Sequence, residues 1–256
     1  MMNLRTALIT LALLTLASSV QAKEIRVVET PDADIEVRIF AADGDTLLLG
    51  FACDEGKSIA EEKTAGSLAE DGIEVWMPDM LTALMLPKVN SSLAMIPTTS
   101  IISIIDAATK TGKKVYLIAS GPDTELILRS ASEWEAEAAQ DSKKTPLAGA
   151  ILLFPRLFKE EPVPGKVPEY VSAVGTTRLP IMLLEGERTP NRWGLNTLNH
   201  ELAKSGSIVT SKVIPDVRGY FFKRQDANRS EDVVTSQMAG LIKVSIFYIE
   251  EEKAHD

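Results

Sequence analysis

The sequence is short of the residues that usually crosslink a chain or carry chemistry: its 256 residues include one cysteine and two histidines. A lone Cys53 cannot form an internal disulfide, so the fold relies on its core. Only an intermolecular bridge or a reactive thiol is left to Cys53, and no cationic neighbour is identifiable that would lower its pKa. With histidine only at His200 and His255, no zinc-type His/Cys/Asp spacing forms, and no glycine-rich phosphate loop is present. No cofactor is therefore expected. Positive charge is also lacking. The formal net charge is −9 and no block of Lys or Arg rises above it, which argues against nucleic acid or anionic lipid as partner. Beyond the first 22 residues no apolar run is long enough to span a bilayer. Neither an internal repeat nor a low-complexity linker interrupts the chain.

What is present begins with a leader. "MMNLR" supplies a short positive start, "TALITLALLTLA" an apolar run too short to span a bilayer, and "SSVQA" a small-residue end. Val20 and Ala22 stand where a signal peptidase reads, so residues 1–22 are expected to be a signal peptide cleaved after Ala22. No cysteine sits at the cleavage point, where Lys23 stands instead, which argues against a lipid anchor. A periplasmic or secreted protein without stable membrane insertion is the expectation. Loss of Arg5 with the leader takes the net charge from −9 to −10. The remaining residues 23–256 suit a single α/β domain.

Along that domain, "KEIRVVETPDADIEVRIF" alternates around Thr30–Asp34 as an antiparallel hairpin does. "TLLLG", "IEVWMPD", "KVYLIAS", "AGAILLFP", "LPIMLLEG" and "SIVTSKVIP" read as further strands, most of them buried. Helices are expected at Ser58–Asp71, ended by Gly72, at "TSIISIIDAATKTGK", capped by Thr99 or Ser100, and at Asp123–Ala138 and Asn191–Ser205. Asp232–Glu252 reads as one closing helix with Val233, Met238, Leu241, Ile242 and Ile246 inward. Apolar runs alternating with helices give a mainly parallel central sheet covered on both faces. The Pro-rich Phe158–Tyr170 is an excursion between two strands.

This order resembles that of the α/β-hydrolases over nearly the whole of residues 23–256. "LLLGF" falls at the oxyanion-loop position, "LAEDGIEVWMPDM" resembles the family's helix–strand pattern, and "LPIMLLEGERTP" resembles the strand that carries the acid. In that family a serine sits on a strained strand–helix turn inside G-x-S-x-G, with neighbouring backbone N–H groups holding an oxyanion. Aligned so, "LIASGPD" places Ala119 at the first glycine, Ser120 at the variable position and Gly121 at the nucleophile. A shift of one residue makes Ser120 the nucleophile but puts Ile118 where a glycine is required. Thr189 stands at the acid position, with Glu187 two residues before it. Arg218 or Tyr220 stands where the general-base histidine belongs, because "VIPDVRGYFFKRQ" contains none. His200 falls on a helix before the last strand and His255 at the end of the chain.

The resemblance therefore implies an α/β-hydrolase-like protein that has lost its triad and binds a small ligand or a protein partner through the former active-site cleft. Phe51, Cys53, Ser120, Arg218 and Tyr220 are the expected contacts, with Arg218 suited to an anionic group. Met80, Met85 and Met95 belong to a Met/Leu-rich flap over Asp79–Ile96. Two alternatives stand beside this reading. One is an active esterase or lipase using Ser120 with an unconventional base, its oxyanion held by N–H groups near Phe51 and Gly121. The other is Cu(I) binding by the thioethers of Met77, Met80, Met85 and Met95. On export from a Gram-negative host the chain is expected to begin at Lys23, and the intact mass of the exported protein checks it.

Overall fold

The computed structural model describes residues 23–51, 59–163, 165–219 and 225–255. Residues 1–22, Cys53 and Tyr220 lie outside the described residues. The opening runs alternate side chains across a sheet, and they pair as expected: β1 (Lys23–Glu29) lies antiparallel to β2 (Asp34–Phe40). β3 (Thr46–Phe51), β4 (Ile73–Pro78), β5 (Lys114–Ser120), β6 (Gly149–Leu153), β7 (Ile181–Gly186) and β8 (Val209–Ile214) follow. The eight strands form one sheet in the order β1-β2-β4-β3-β5-β6-β7-β8, parallel from β4 onward.

Strand burial follows this order. Every residue of β6 and β7 is buried, since strands in the middle of a parallel sheet are covered on both faces. The two edges are not: β1 and β8 are largely open to solvent, and they carry charged side chains, which discourage edge-to-edge pairing.

The helices are α1 (Ile59–Glu70), α2 (Met80–Ala83), α3 (Thr98–Thr109), α4 (Asp123–Ala138), α5 (Leu195–Lys204), α6 (Arg229–Ser236) and α7 (Met238–His255). α3, α4 and α5 cover one face, packing Ile104, Trp134 and Leu198 on Leu49, Leu117 and Leu183. α1 and α7 cover the other, packing Leu68 and Ile242 on Leu48, Ile151 and Leu184. Burial of these two layers is the main stabilising contribution. The Pro-rich excursion loops out between β6 and β7 and is pinned at its base, where Phe158 and Tyr170 bridge and stack with centroids 5.3 Å apart.

Three local expectations change. The closing helix breaks at Gln237, and the break resets the helical phase. After it, Met238, Ile242, Ser245 and Ile249 form the buried stripe, while Val233 faces solvent. Thr99 and Ser100 do not cap α3; Pro97 takes that place. Both hydroxyls donate instead to Asp32 Oδ2 at 2.7 Å, tying the β1–β2 turn to α3 and holding the Asp32 carboxyl below its ordinary range. A 3₁₀ turn at Pro190–Gly194 replaces the first turn expected of the Asn191–Ser205 helix.

Leu183→Ala, at a fully buried site in the centre of the sheet, is expected to lower stability by about 2–5 kcal/mol. Urea unfolding measures it as a shifted midpoint with an unchanged slope.

Candidate functional site

The chain passes from β5 into α4 through Gly121 and Pro122 alone. So sharp a reversal needs a backbone that side chains resist, and Gly121 takes φ +56°. Its peptide is gripped from both sides. The Gly121 N–H donates to the Leu153 carbonyl of β6 at 2.9 Å, and the Gly121 carbonyl accepts from the Thr124 and Arg156 N–H groups, each at 3.2 Å. Pro122, at φ −63°, is preset for the first turn of α4 but has no N–H to offer. Ser120, the last residue of β5, is buried and faces the α1/α7 side, where Tyr116 and Ile118 also point.

The loops after β7 and β8 form a polar network. Thr189 Oγ1 lies 2.8 Å from both Glu185 Oε1 and the Gly186 carbonyl. Glu185, 1% exposed, also accepts the Gly186 N–H at 2.8 Å. Burial pushes its carboxyl above the ordinary range, against those two hydrogen bonds. Glu187 Oε2 accepts the Asp216 N–H at 2.9 Å. Asp216 sits at φ +54°, a conformation Asp tolerates better than most residues, and its carboxylate takes Ser230 Oγ at 2.9 Å and Arg188 at 3.3 Å. Gly186 lets these loops meet: a Cβ there would lie 2.4 Å from the Val217 carbonyl.

Arg218 is committed within this network. Its Nε and Nη2 donate to the two carboxylate oxygens of Glu231 at 2.7 and 2.6 Å, and Nη1 donates to Asp226 Oδ2 at 3.0 Å. Glu231 is wholly buried, and its bonds from Arg218, together with the Asn228 and Arg218 N–H groups, outweigh burial and hold its pKa at about 2. The expectation that Arg218 projects into the cleft for an anionic ligand is thus corrected: its planar fork is filled by Glu231. His200 and His255 are both exposed, on α5 and at the end of α7.

Two cavities flank the elbow on opposite faces of the sheet. The one on the α3/α4 side is only about 20 Å³, walled by Phe51, Met80, Leu81, Leu93, Ile96 and Leu126. Its walls correct the flap expected at Asp79–Ile96: Met80, Leu81, Leu93 and Ile96 are core residues, while Met85, Val89 and Met95 stand out, 91%, 48% and 63% exposed. Met77 packs on the other face, so the four thioethers do not converge on one site. The second cavity, about 110 Å³, lies between α1, α7 and the ends of β3–β5 and includes Phe51 and Ser120. Among the described residues no cluster of three His, Cys, Asp or Glu side chains is placed to hold a metal.

No family model matches the sequence, and no curated protein matches it. Solved structures do. An esterase of the Planctomycetes species Thermogutta terrifontis aligns at TM-score 0.59 and 16% identity, over 89% of this chain and 94% of that one. A Klebsiella pneumoniae protein assigned as a dienelactone hydrolase aligns at 0.61 and 12%, over 85% and 95%. ESTFA, in its Fe-lacking apo form, aligns at 0.56 and 14%, over 92% and 89%. The chain has the α/β-hydrolase fold. At these identities the likeness carries the fold alone.

Within an α/β-hydrolase elbow the strained residue bears the nucleophile, and the N–H of the next residue holds the oxyanion. Here the strained residue is Gly121, without a side chain, and the next is Pro122, without an N–H. In the shifted register Ser120 supplies a hydroxyl, but the next N–H, that of Gly121, is already given to Leu153. The sequence itself carries this signal: Pro122, directly after the Gly121 of the nucleophile position, has no N–H to give. Glu185 is marked too, as the one acidic residue closing the apolar run "IMLLEG".

The folded-state pKa of Glu231 lies below its ordinary value, so the Arg218–Glu231 pair stabilises the fold above pH about 4.5 and loses that contribution as pH falls towards 2. Glu231→Gln is expected to cost roughly 2–4 kcal/mol at neutral pH. In urea titrations at a series of pH values, its gap from the parent chain narrows across that acidic range.

Proposed function

We propose that this chain is an exported α/β-hydrolase-like protein that performs no acyl transfer and binds a ligand or a protein partner beside its elbow. One observation carries the reading: in neither register does the turn combine a nucleophile with a free N–H on the following residue. Loss of one oxyanion donor costs about 10²–10³ in kcat. Here that loss coincides with the absence of an imidazole that would take the proton of Ser120, since no histidine occurs anywhere in residues 201–254. Effects on one catalytic unit do not simply add, but without base and oxyanion donor together a lone serine hydroxyl has little advantage over water.

The acid and base positions support the same reading. Thr189 and Arg218 are tied to Glu185 and Glu231, partners that hold loops rather than reacting groups. Phe51 and Ser120 remain the described residues suited to a ligand, since both line the larger cavity. Met85 and Met95 suit a partner instead, as polarisable apolar side chains held in solvent. Met85 is moreover held at φ +54°, a strained backbone for an exposed methionine.

Incubated with a serine-directed fluorophosphonate and with short acyl esters, the mature chain is expected to take no label and to hydrolyse no faster than buffer. Label on Ser120, lost in Ser120→Ala together with esterase activity, would establish the active hydrolase instead. Gly121→Ser is expected to stay inactive, because it restores a hydroxyl without the N–H that Pro122 lacks; a burst of ester cleavage from this variant also overturns the reading.

A further inference from the structure

The cavity of about 110 Å³ lies behind the elbow on the α1/α7 face of the sheet and has Phe51 and Ser120 at its rim. Leu48, Leu68, Val75, Met77, Ile118 and Met238 form its walls. A cavity of about 150 Å³ with such walls stays dry and admits benzene, so this one has room for a chain or ring of roughly five or six carbons. Its polar atoms decide what the end of that ligand must be. Thr64 Oγ1 donates to the Ala60 carbonyl at 2.9 Å, and Thr235 Oγ1 donates to the Glu231 carbonyl at 2.8 Å. Each hydroxyl has thereby spent its only proton and presents acceptor lone pairs alone. No Lys, Arg or His is among the described residues of the lining. Glu61 adds a carboxylate to the lining, so a second carboxylate buried there would meet like charge as well as lose its hydration.

From these constraints we infer that the cavity behind the elbow binds a small, uncharged, apolar molecule ending in a hydrogen-bond donor, an alcohol of about six carbons, and rejects the matching carboxylate. The inference rests on the ligand-binding reading above and supplies both its place and its selectivity. A hydrolase releases acid and alcohol together, and this cavity discriminates between those two chemistries without a reacting group.

Methyl resonances of Met77 and Met238 report on the walls, with Met85 and Met95 as solvent-exposed controls in the same spectrum. In the full mature chain labelled with ¹³C at the methionine methyls, hexanol is expected to shift Met77 and Met238 saturably and to leave the controls in place. Half-saturation on the order of 1 mM matches burial of about six methylene-sized groups. Hexanoate at neutral pH is expected to bind at least about tenfold more weakly. Ala60→Leu, at a half-buried rim position of α1, fills the space and is expected to abolish the hexanol shift with an unchanged melting temperature. Absence of a saturable shift at Met77 and Met238 overturns the proposal, as does hexanoate binding as tightly as hexanol. Both of these are read on the parent chain, whatever Ala60→Leu does to folding. Fluorophosphonate labelling of Ser120 would defeat the non-catalytic reading separately, since it does not depend on hexanol.

Discussion

The peptide of Gly121 holds this structure's central turn together. Its N–H reaches the end of β6 through the Leu153 carbonyl, and its carbonyl reaches the start of α4 and the chain leaving β6. A positive φ allows these contacts within two residues, and only a residue without a Cβ adopts it without strain. The same grip that fixes β5, β6 and α4 in register occupies the N–H of the residue after Ser120.

A similar exchange occurs at the loops after β7 and β8. In a working triad these loops hold an acid and an imidazole joined by a hydrogen bond. Here they are joined by ion pairs and backbone contacts: Glu187 to the Asp216 N–H, Arg188 to Asp216, and Arg218 to Glu231 and Asp226. Glu231 also closes the capping box of α6 with Asn228, so one buried carboxylate fixes both the loop and the helix that follows it. The Arg218–Glu231 geometry is the bidentate arrangement in which guanidinium and carboxylate meet best. It explains how a buried charge is tolerated there.

Much of the fold was legible because it depends on local periodicity. "GAILL" and "IMLLEG" could only be strands buried on both faces, and "DIEVRIF" alternates as a strand with one exposed face does. The closing helix was less legible, because the stripe Met238, Ile242, Ser245, Ile249 appears only after Gln237 breaks the phase, and it includes a serine. The methionines part company for a related reason. Apolar residues close in sequence looked like one flap, yet Met77 ends a strand pointing to one face and Met80 starts a helix packed on the other. Composition near a turn cannot say which side of a sheet each residue takes.

By itself the sequence determined the order of strands and helices, the lack of any histidine at the base position, and a proline after the elbow glycine. These are properties of residue type and spacing, which no packing alters. Tertiary structure alone decided that the Gly121 N–H goes to Leu153, that Arg218 pairs with Glu231, and that the larger cavity lies behind the elbow. Each of those outcomes joins segments distant in the chain, from 13 residues between Arg218 and Glu231 to 194 between Leu48 and Ile242, where the partner of a polar group depends on how whole elements pack and not on its neighbours in the chain.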